Sequence, residues 1–375
     1  MKPTYYEFFA GGGMASIGLG AQWRCLLAND IDPVKAAAYR DNHPGHRFVE
    51  GDIAQLTAGD LPGVADLAWA SFPCQDLSLA GKGGGLSGAR SGVFWSFERL
   101  MRGLVEDGRS PRLIAIENVI GLMTSNGGRD LETAAAAVAA LGYRVAMFTL
   151  DAAHFLPQSR PRLFMIGMRN DVMSPTIASD QRSEREARAV ERLMRRLGPA
   201  FVDIRPPAPP RRNTDLVDII DWRAPTHPRA QTETLLGLMA PLHRARVEER
   251  RLACKGRGER AVGAVYRRMR TNVSGGRVQR AEVRFDGLAG CLRTPAGGSS
   301  RQTLLLIEKG EVRSRLITSR EAAALMGLPD GYLLPDRYND AYKLCGDGVA
   351  APVVRWIAAT FIEPILAHGR GRVAA

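Results

Sequence analysis

Over its first ~170 residues the chain alternates short apolar runs with helix-forming stretches, and this alternation limits the fold more than any other feature. The runs TYYEFFA, RCLLAND, HRFVEGDI, DLAWASF, RLIAIENV, RVAMFTLDAA and RLFMIGMR have the length of buried strands. MASIGLGAQW and the Ala-rich DLETAAAAVAALG fit helices between them. Strands that alternate with helices predict an α/β fold with a doubly wound, mostly parallel sheet. Ligands of such sheets bind beyond the carboxyl ends of the strands, so the residues that end each run are the first candidates for chemistry.

After Asn170 the pattern is lost. A charged helix, EREARAVERLMRRL, leads to RPPAPPRR at 205–212, whose prolines favour an extended connector. The stretch 213–300 reads as irregular and rich in Arg, Gly and Thr. Order returns near 303 with a strand TLLLIE, a hairpin-like EKGE, a helix SREAAALMG and a last helix VVRWIAATFIEPIL. The expected division is a first domain of residues 1–171 plus 340–375 and a second, smaller, irregular basic domain over 172–339.

Charge separates the same parts. Residues 182–301 carry 26 Lys plus Arg against 13 Asp plus Glu, while the rest carries 25 against 26. Nearly all the excess is arginine, whose planar fork suits phosphate oxygens and guanine edges. A basic module on a neutral scaffold suggests a polyanion partner, although a solvated helical face explains 182–198 equally well. At 45% hydrophobic and 24% charged residues, the composition excludes a wholly disordered or fibrous chain. No uninterrupted apolar run nears the ~18–20 residues of a membrane span, and MKPTYYEFFA lacks the pattern of a secretory signal. Five scattered cysteines with no CxxC spacing argue against a disulfide framework and fit a reducing cytoplasm.

FFAGGGMASIGLG follows a strand and opens a helix, but the third glycine of a GxGxxG dinucleotide fingerprint falls on Ser16. A tight structural turn explains the glycines alone. Asp30 and Asp52 end the next two strands, and two acids at consecutive strand ends favour an adenosine ligand. Cys74 lies in SFPCQ directly after a strand, where the flanking Pro73 and Gln75 are turn chemistry and oppose simple burial. The glycine-laden segment 81–92 reads as a lid or as a surface loop. Glu117 ends IAIENV and is either exposed or held in a state that donates a hydrogen bond. Gln158, Arg160 and Arg162 follow in FLPQSRPRLF, where pairing of the arginines with acids is the ordinary alternative.

FFAGGG, SFPCQ with its trailing loop, ENV, QSRPR and CGDGVAAPVVRWI stand in an order that resembles the DNA cytosine-5 methyltransferases. The motifs cover about 1–170 and 288–360, which looks like a complete small member of the bacterial or phage type, with the target-recognition region in about 182–301. The resemblance implies a Rossmann-like class I methyltransferase fold and S-adenosyl-L-methionine as cofactor. It implies double-stranded DNA as substrate, with a cytosine flipped from the duplex for methylation at carbon 5 in a specific sequence context. Cys74 is then the nucleophile at carbon 6, and Glu117 binds the ring nitrogen and exocyclic amine. Arg162 contacts the base oxygen, and Arg160 supports the site or the target backbone. Phe9, Ala10, Gly11, Gly12, Gly13 and Met14 wrap the methionine end of the cofactor. Asp30 takes the ribose hydroxyls with Ile31 beside the adenine, Asp52 and Ile53 contact the adenine, and Pro73 adjoins cofactor and nucleophile.

Asp347, Gly348 and Val349 complete that set by the same resemblance. Here the chain departs from the common Gly-Asn-Ser-Val, and the carboxylate of Asp347 is expected to meet the cofactor's ammonium group. Gln75, Ser78, Lys82 and Arg90 of the lid region, with Arg293 and Arg301 flanking a Gly/Ser loop, are the expected DNA contacts. A monomer without membrane attachment is expected, with a cognate restriction endonuclease, if any, acting separately. A non-enzymatic DNA-binding homologue is the alternative from another class, disfavoured by the joint presence of Cys74, Glu117, Arg160 and Arg162. The tRNA-methylating branch of the fold usually carries Cys-Phe-Thr after its Pro-Cys-Gln, and this chain does not.

Overall fold

The computed structural model describes residues 1–72, 92–172, 182–257, 259–271, 275–293 and 301–368. Strands β1 (Thr4–Phe8), β2 (Arg24–Asp30), β3 (Phe48–Glu50), β4 (Leu67–Ala70), β5 (Leu113–Val119), β6 (Tyr143–Asp151) and β7 (Pro161–Arg169) form one sheet in the order β3-β2-β1-β4-β5-β7-β6. The first five strands run parallel, and β7 runs antiparallel to both neighbours. Helices α1 (Met14–Leu19), α2 (Pro33–Asn42), α3 (Val93–Glu106) and α4 (Arg129–Ala140) lie between the strands in sequence.

The alternation of side chains along each strand divides the core. Tyr6, Phe8, Ala68, Ala70, Ile114 and Ile116 pack with Phe94 and Phe97 of α3 and Leu131 and Ala134 of α4. Tyr5, Trp69, Leu113 and Ala115 pack on the opposite face with Met14 and Leu19 of α1. A sheet buried on both faces needs apolar residues at successive positions, which is why these strands read as continuous runs. Because β2 and β3 lie on one side of β1 while β4 and β5 lie on the other, the strand order reverses between β1 and β4. That switch point is where an open α/β sheet leaves a crevice at its carboxyl edge.

The charged helix α5 (Glu184–Leu197) belongs with this sheet, against the expected boundary at 172. Ala189, Val190 and Leu193 recur at helical spacing and bury against the cluster that holds α4, while both ends of the helix stay charged and solvated. The connector at 205–212 carries neither helix nor strand, and just before it Val202 donates its N–H to the carbonyl of Val145.

Residues 213–300 are more regular than their sequence suggests. Helices α6 (Arg229–Gly237) and α7 (Pro241–Arg257) pack on an antiparallel sheet of β8 (Arg260–Thr271), β9 (Arg277–Arg284), β10 (Thr303–Glu308) and β11 (Glu311–Leu316), ordered β11-β10-β8-β9. Val265, Val283, Leu305 and Ile307 face Leu235 of α6 and Val247 of α7. Val262, Ala264, Leu304 and Leu306 on the other face join the main core, so the two sheets share one continuous apolar cluster.

Helices α8 (Ser319–Ala324), α9 (Tyr338–Asp347), α10 (Ala351–Ile357) and α11 (Glu363–His368) return the chain to the first sheet. A π turn at Ala358–Ile362 separates the last two, just before Pro364, which has no N–H to offer the preceding turn. The stretch Tyr338–Ala367 has the length and apolar character of a membrane span, a property the sequence pattern does not announce. Most of it is buried inside the protein: Val353, Val354, Ile357 and Phe361 pack in the main core cluster with Leu19 and Phe148.

Candidate active site

The glycine turn leaves β1 at the reversal of strand order, and its conformation depends on missing side chains. Gly11 and Gly13 have φ of 56° and 77°, and Phe9 also adopts the left-handed region at 57°. A Cβ on Gly12 would stand 2.3 Å from the hydroxyl of Tyr332, which donates a 2.7 Å hydrogen bond to the Gly12 carbonyl. Tyr332 comes from the segment after α8, so the far end of the chain locks this turn from behind.

Asp30 ends β2, buried, with both carboxylate oxygens engaged. One accepts the Gly11 N–H at 2.8 Å and the other the Asp32 N–H at 2.9 Å. Asp30 therefore fixes the turn, and its remaining lone pairs stay available to a ligand hydroxyl. Ile31 beside it is 64% exposed, an apolar surface next to an acid at the ligand edge. Asp52 is exposed and caps the turn that follows β3 by accepting from the Ala54 N–H. Met14, Ile53 and Val349 are buried in the core. Ala10 is buried as well, and Gly11 is the partly open member of the turn.

β4 delivers the next motif. Ser71 donates its N–H to the Phe8 carbonyl, and the rings of Phe72 and Phe9 meet edge-on at 6.3 Å. From the other side Asn118 donates from Nδ2 to the Phe72 carbonyl at 3.5 Å. Phe72 is thus held between the glycine turn and the end of β5, two residues before Cys74 in sequence. Pro73, Cys74, Gln75, Ser78, Lys82 and Arg90 lie outside the described residues.

Glu117 is buried beside Asn118, and Arg162 reaches it from the start of the antiparallel β7, Nε to Oε1 at 2.9 Å. The register that sets Val119 opposite Arg162 brings this guanidinium to the edge where β4 and β5 end. Arg160 is 2% exposed, and its Nη2 donates to the carbonyls of Gly346 and Gly348 at 2.9 and 2.5 Å. Its Nη1 points to Cys291 Sγ at 3.2 Å and to the Leu292 carbonyl at 3.3 Å. Arg160, expected to support the site or the target backbone, thus ties the start of β7 to the segments that carry Gly346 and Leu292.

Asp347, expected to meet the cofactor's ammonium group, pairs with Lys35 Nζ at 2.7 Å. A second pair, Lys343 Nζ to Asp32 Oδ2 at 2.6 Å, runs between the same two helices in the opposite sense. Burial alone would raise the Asp32 carboxyl, but Lys343 and the N–H of Lys35 more than offset it and hold it below the usual range. Arg301 lies over the Tyr338 ring at 5.7 Å and donates to Asn339, so its guanidinium is anchored to α9, whereas Arg293 is exposed.

Cys291, Lys35 and Tyr332 are absent from the residues that the motifs single out. Lys35 stands five residues after Asp30 on a helix entry, a position that could have signalled it; nothing near Cys291 or Tyr332 in sequence signals their partners. Gln158, which precedes the arginines in QSRPR, proves fully buried: it accepts from the Leu292 N–H at 3.2 Å and donates to the Leu325 carbonyl at 2.6 Å. It docks the segment carrying Cys291 against the arginines.

A family model described as C-5 cytosine-specific DNA methylase matches residues 4–363. Type II methyltransferase M.NlaX of Neisseria lactamica is 28% identical over 94% of this chain and 94% of its own length. Type II methyltransferase M.Eco47II of Escherichia coli is 34% identical over 45% of this chain and 40% of that protein. The crystal structure of S. pombe Dnmt2 methyltransferase superposes with a TM-score of 0.60 at 17% identity, over 97% of this chain and 99% of that one. A putative DNA modification methyltransferase encoded within an E. coli prophage gives 0.55 at 18% identity over the same shares, which supports the fold.

Proposed function

The chain belongs to the C-5 cytosine-specific DNA methylase family and is a DNA (cytosine-5-)-methyltransferase; from that premise we propose that it flips a cytosine out of duplex DNA and methylates it at carbon 5 through a covalent adduct on Cys74. The observation that carries this reading is the position of Phe72, gripped by Phe9 of the glycine turn and by Asn118 beside Glu117. Phe72, two residues before Cys74 in sequence, lies between the groups suited to a sulfonium cofactor and those suited to a pyrimidine.

Carbon 5 of cytosine is a weak nucleophile, and addition of a thiolate to carbon 6 makes it electron-rich. Glu117 would hold the ring nitrogen and exocyclic amine, and it would pass a proton to that nitrogen as charge builds on the ring. Arg162, already against Glu117, would hold the base oxygen. Removal of the carbon 5 proton and expulsion of Cys74 then restore the aromatic ring. The reacting carbons are covered in a stacked duplex, so the base has to leave the helix first.

The residues present fit S-adenosyl-L-methionine: Asp30, buried and braced by two N–H groups, stands beside the exposed apolar Ile31, with Gly11 open in front. When bound, that cofactor supplies an electrophilic methyl group. Asp30 would orient its ribose, Phe9 to Met14 its methionine end, and Ile31, Asp52 and Ile53 its adenine, with Pro73 alongside. Gly346 to Val349 would close the site through main chain held by Arg160. The basic region, with Arg293, would face DNA phosphates, and Gln75, Ser78, Lys82 and Arg90 would contact the opened duplex. Arg301 would act there only after leaving Tyr338 and Asn339.

Transfer of tritiated methyl groups from S-adenosyl-L-methionine to duplex DNA tests the reaction. Wild-type protein should label DNA, and Cys74→Ala or Cys74→Ser should not. Full turnover by the alanine variant would remove Cys74 from the role of nucleophile.

A further inference from the structure

The reaction centre holds two guanidinium groups, Arg160 and Arg162, and the buried carboxylate of Glu117 beside them. Cys291 Sγ lies between the guanidiniums, 3.2 Å from Arg160 Nη1 and 3.8 Å from Arg162 Nη2. Asp347 also acts on Arg160 electrostatically and pairs with Lys35. We propose that Cys291 works as a thiolate counter-ion to the Arg160–Arg162 pair, a positioning residue that keeps Arg162 in place while Glu117 changes charge.

The inference rests on the reading that Glu117 exchanges a proton with the base. When Glu117 is neutral, Arg162 loses its carboxylate partner, and two like charges in a buried site are left to repel each other. Removing one side of a buried charge pair is far more costly than removing an exposed one. A second anion already within reach of both guanidiniums spares Arg162 from moving at that moment. The cations around the sulfur agree with this role, while the Leu292 carbonyl oxygen 3.5 Å away is the one acceptor facing it among the described contacts. Burial opposes ionisation of Cys291, yet Arg160, Arg162 and Arg293 outweigh it and bring the thiol below its usual range. The sulfur also interacts electrostatically with Tyr342. Gln158 and Gln302 hold the segment rigidly through the Leu292 and Gly290 N–H groups, at 3.2 and 3.1 Å.

Three full-length variants separate charge from packing: Cys291→Ser, Cys291→Ala and Cys291→Asp. For a counter-ion, Ser and Ala should each lower kcat about tenfold, the size of one missing buried charge interaction, with cofactor KM within about twofold. Asp should recover most of that activity although it matches the thiol less well in shape than Ser. If Ser retains wild-type kcat, or Asp is no better than Ala, the sulfur only fills space and the proposal fails. Ultraviolet thiolate absorbance provides a readout independent of turnover. Cys74→Ser protein should show a thiolate that titrates below the range of an ordinary thiol, and Cys74→Ser/Cys291→Ser should lack it; identical titrations overturn the proposal. Trapping of wild-type enzyme on DNA containing 5-fluorocytosine tells the two readings apart. No adduct in the wild type overturns the nucleophile and this role with it, whereas normal trapping with an unaffected Cys291→Ser variant overturns this role alone.

Discussion

Glu7, in the middle of β1, lies buried beneath the glycine turn, where burial pushes its carboxyl up to about 7, Asp30 adds to the effect, and hydrogen bonds from Ser16 and the Ala15 N–H oppose it. Ser16 links it to the hydroxyls of Tyr5 at 2.7 Å and Tyr39 at 3.1 Å, and Tyr39 continues to His46 Nδ1 at 2.9 Å. Raised above its ordinary value of 4.5, this carboxyl binds its proton more tightly in the folded than in the unfolded chain. Its contribution to stability is therefore fully present below about pH 4.5 and is lost as pH rises toward 7, by up to ~3 kcal/mol. Denaturant unfolding at a series of pH values should show this decline in the wild type and a flatter profile in Glu7→Gln; equal slopes would count against it. Neighbouring His43 acts in the opposite sense. Burial and His46 push it down to about 4, so its contribution is lost as pH falls from 6.5 toward 4. At the turn itself, Gly12→Ala forces a Cβ against the Tyr332 hydroxyl and Leu344, and overpacking of this kind should cost ~1–3 kcal/mol, read as a lower Tm.

At the scale of elements, helices α2 and α9 are joined by reciprocal ion pairs across the edge that carries the glycine turn. Asp347→Asn leaves Lys35 without this partner close to the proposed cofactor site. Equilibrium binding should show affinity for S-adenosyl-L-methionine weakened about two- to fivefold, the scale of a partly exposed ion pair. Unchanged affinity would remove Asp347 from the cofactor site. The Arg315–Glu321 pair is different because both side chains are buried, at 3% and 2% exposure, and Glu321 also caps α8. Glu321→Ala should cost ~3–5 kcal/mol by stranding Arg315, and the double substitution Arg315→Met/Glu321→Leu should recover much of it. The first sheet was legible in the sequence because its strands are buried on both faces and so read as continuous apolar runs. The second sheet was not. β8 and β9 run past the core, so Arg267, Arg268, Arg270 and Arg277 interrupt any apolar alternation. Helix α7 buries Val247 and Cys254, seven residues apart, while Leu242 and Leu252 face solvent, too sparse a stripe to read. The order of the motifs that carry the family resemblance was legible, but Cys291 meets Arg160 across 131 residues, a contact that only packing creates.

For the molecule as a whole, the basic excess does not belong to one surface. In α5, Arg192 serves the first domain, reaching Glu132 and the Met123 carbonyl. The exposed arginines at the far end of the β8–β9 hairpin remain the best candidates for phosphate contacts. Replacing Arg267 and Arg277 with Ala should weaken DNA binding similarly across sequences and reduce the slope of log affinity against log salt by about 1 for each phosphate no longer neutralised. A slope unchanged by both substitutions would place the DNA elsewhere. The most direct test of the covalent route joins nucleophile, base and cofactor in one species. Wild-type protein is incubated with S-adenosyl-L-methionine and duplex DNA carrying 5-fluorocytosine, then digested and analysed by mass spectrometry. A methylated fluorocytosine bonded to the peptide that contains Cys74 is expected, and none with Cys74→Ser. An adduct on any other peptide, or methylated DNA with no covalent protein when every cytosine in the target is fluorinated, would contradict it.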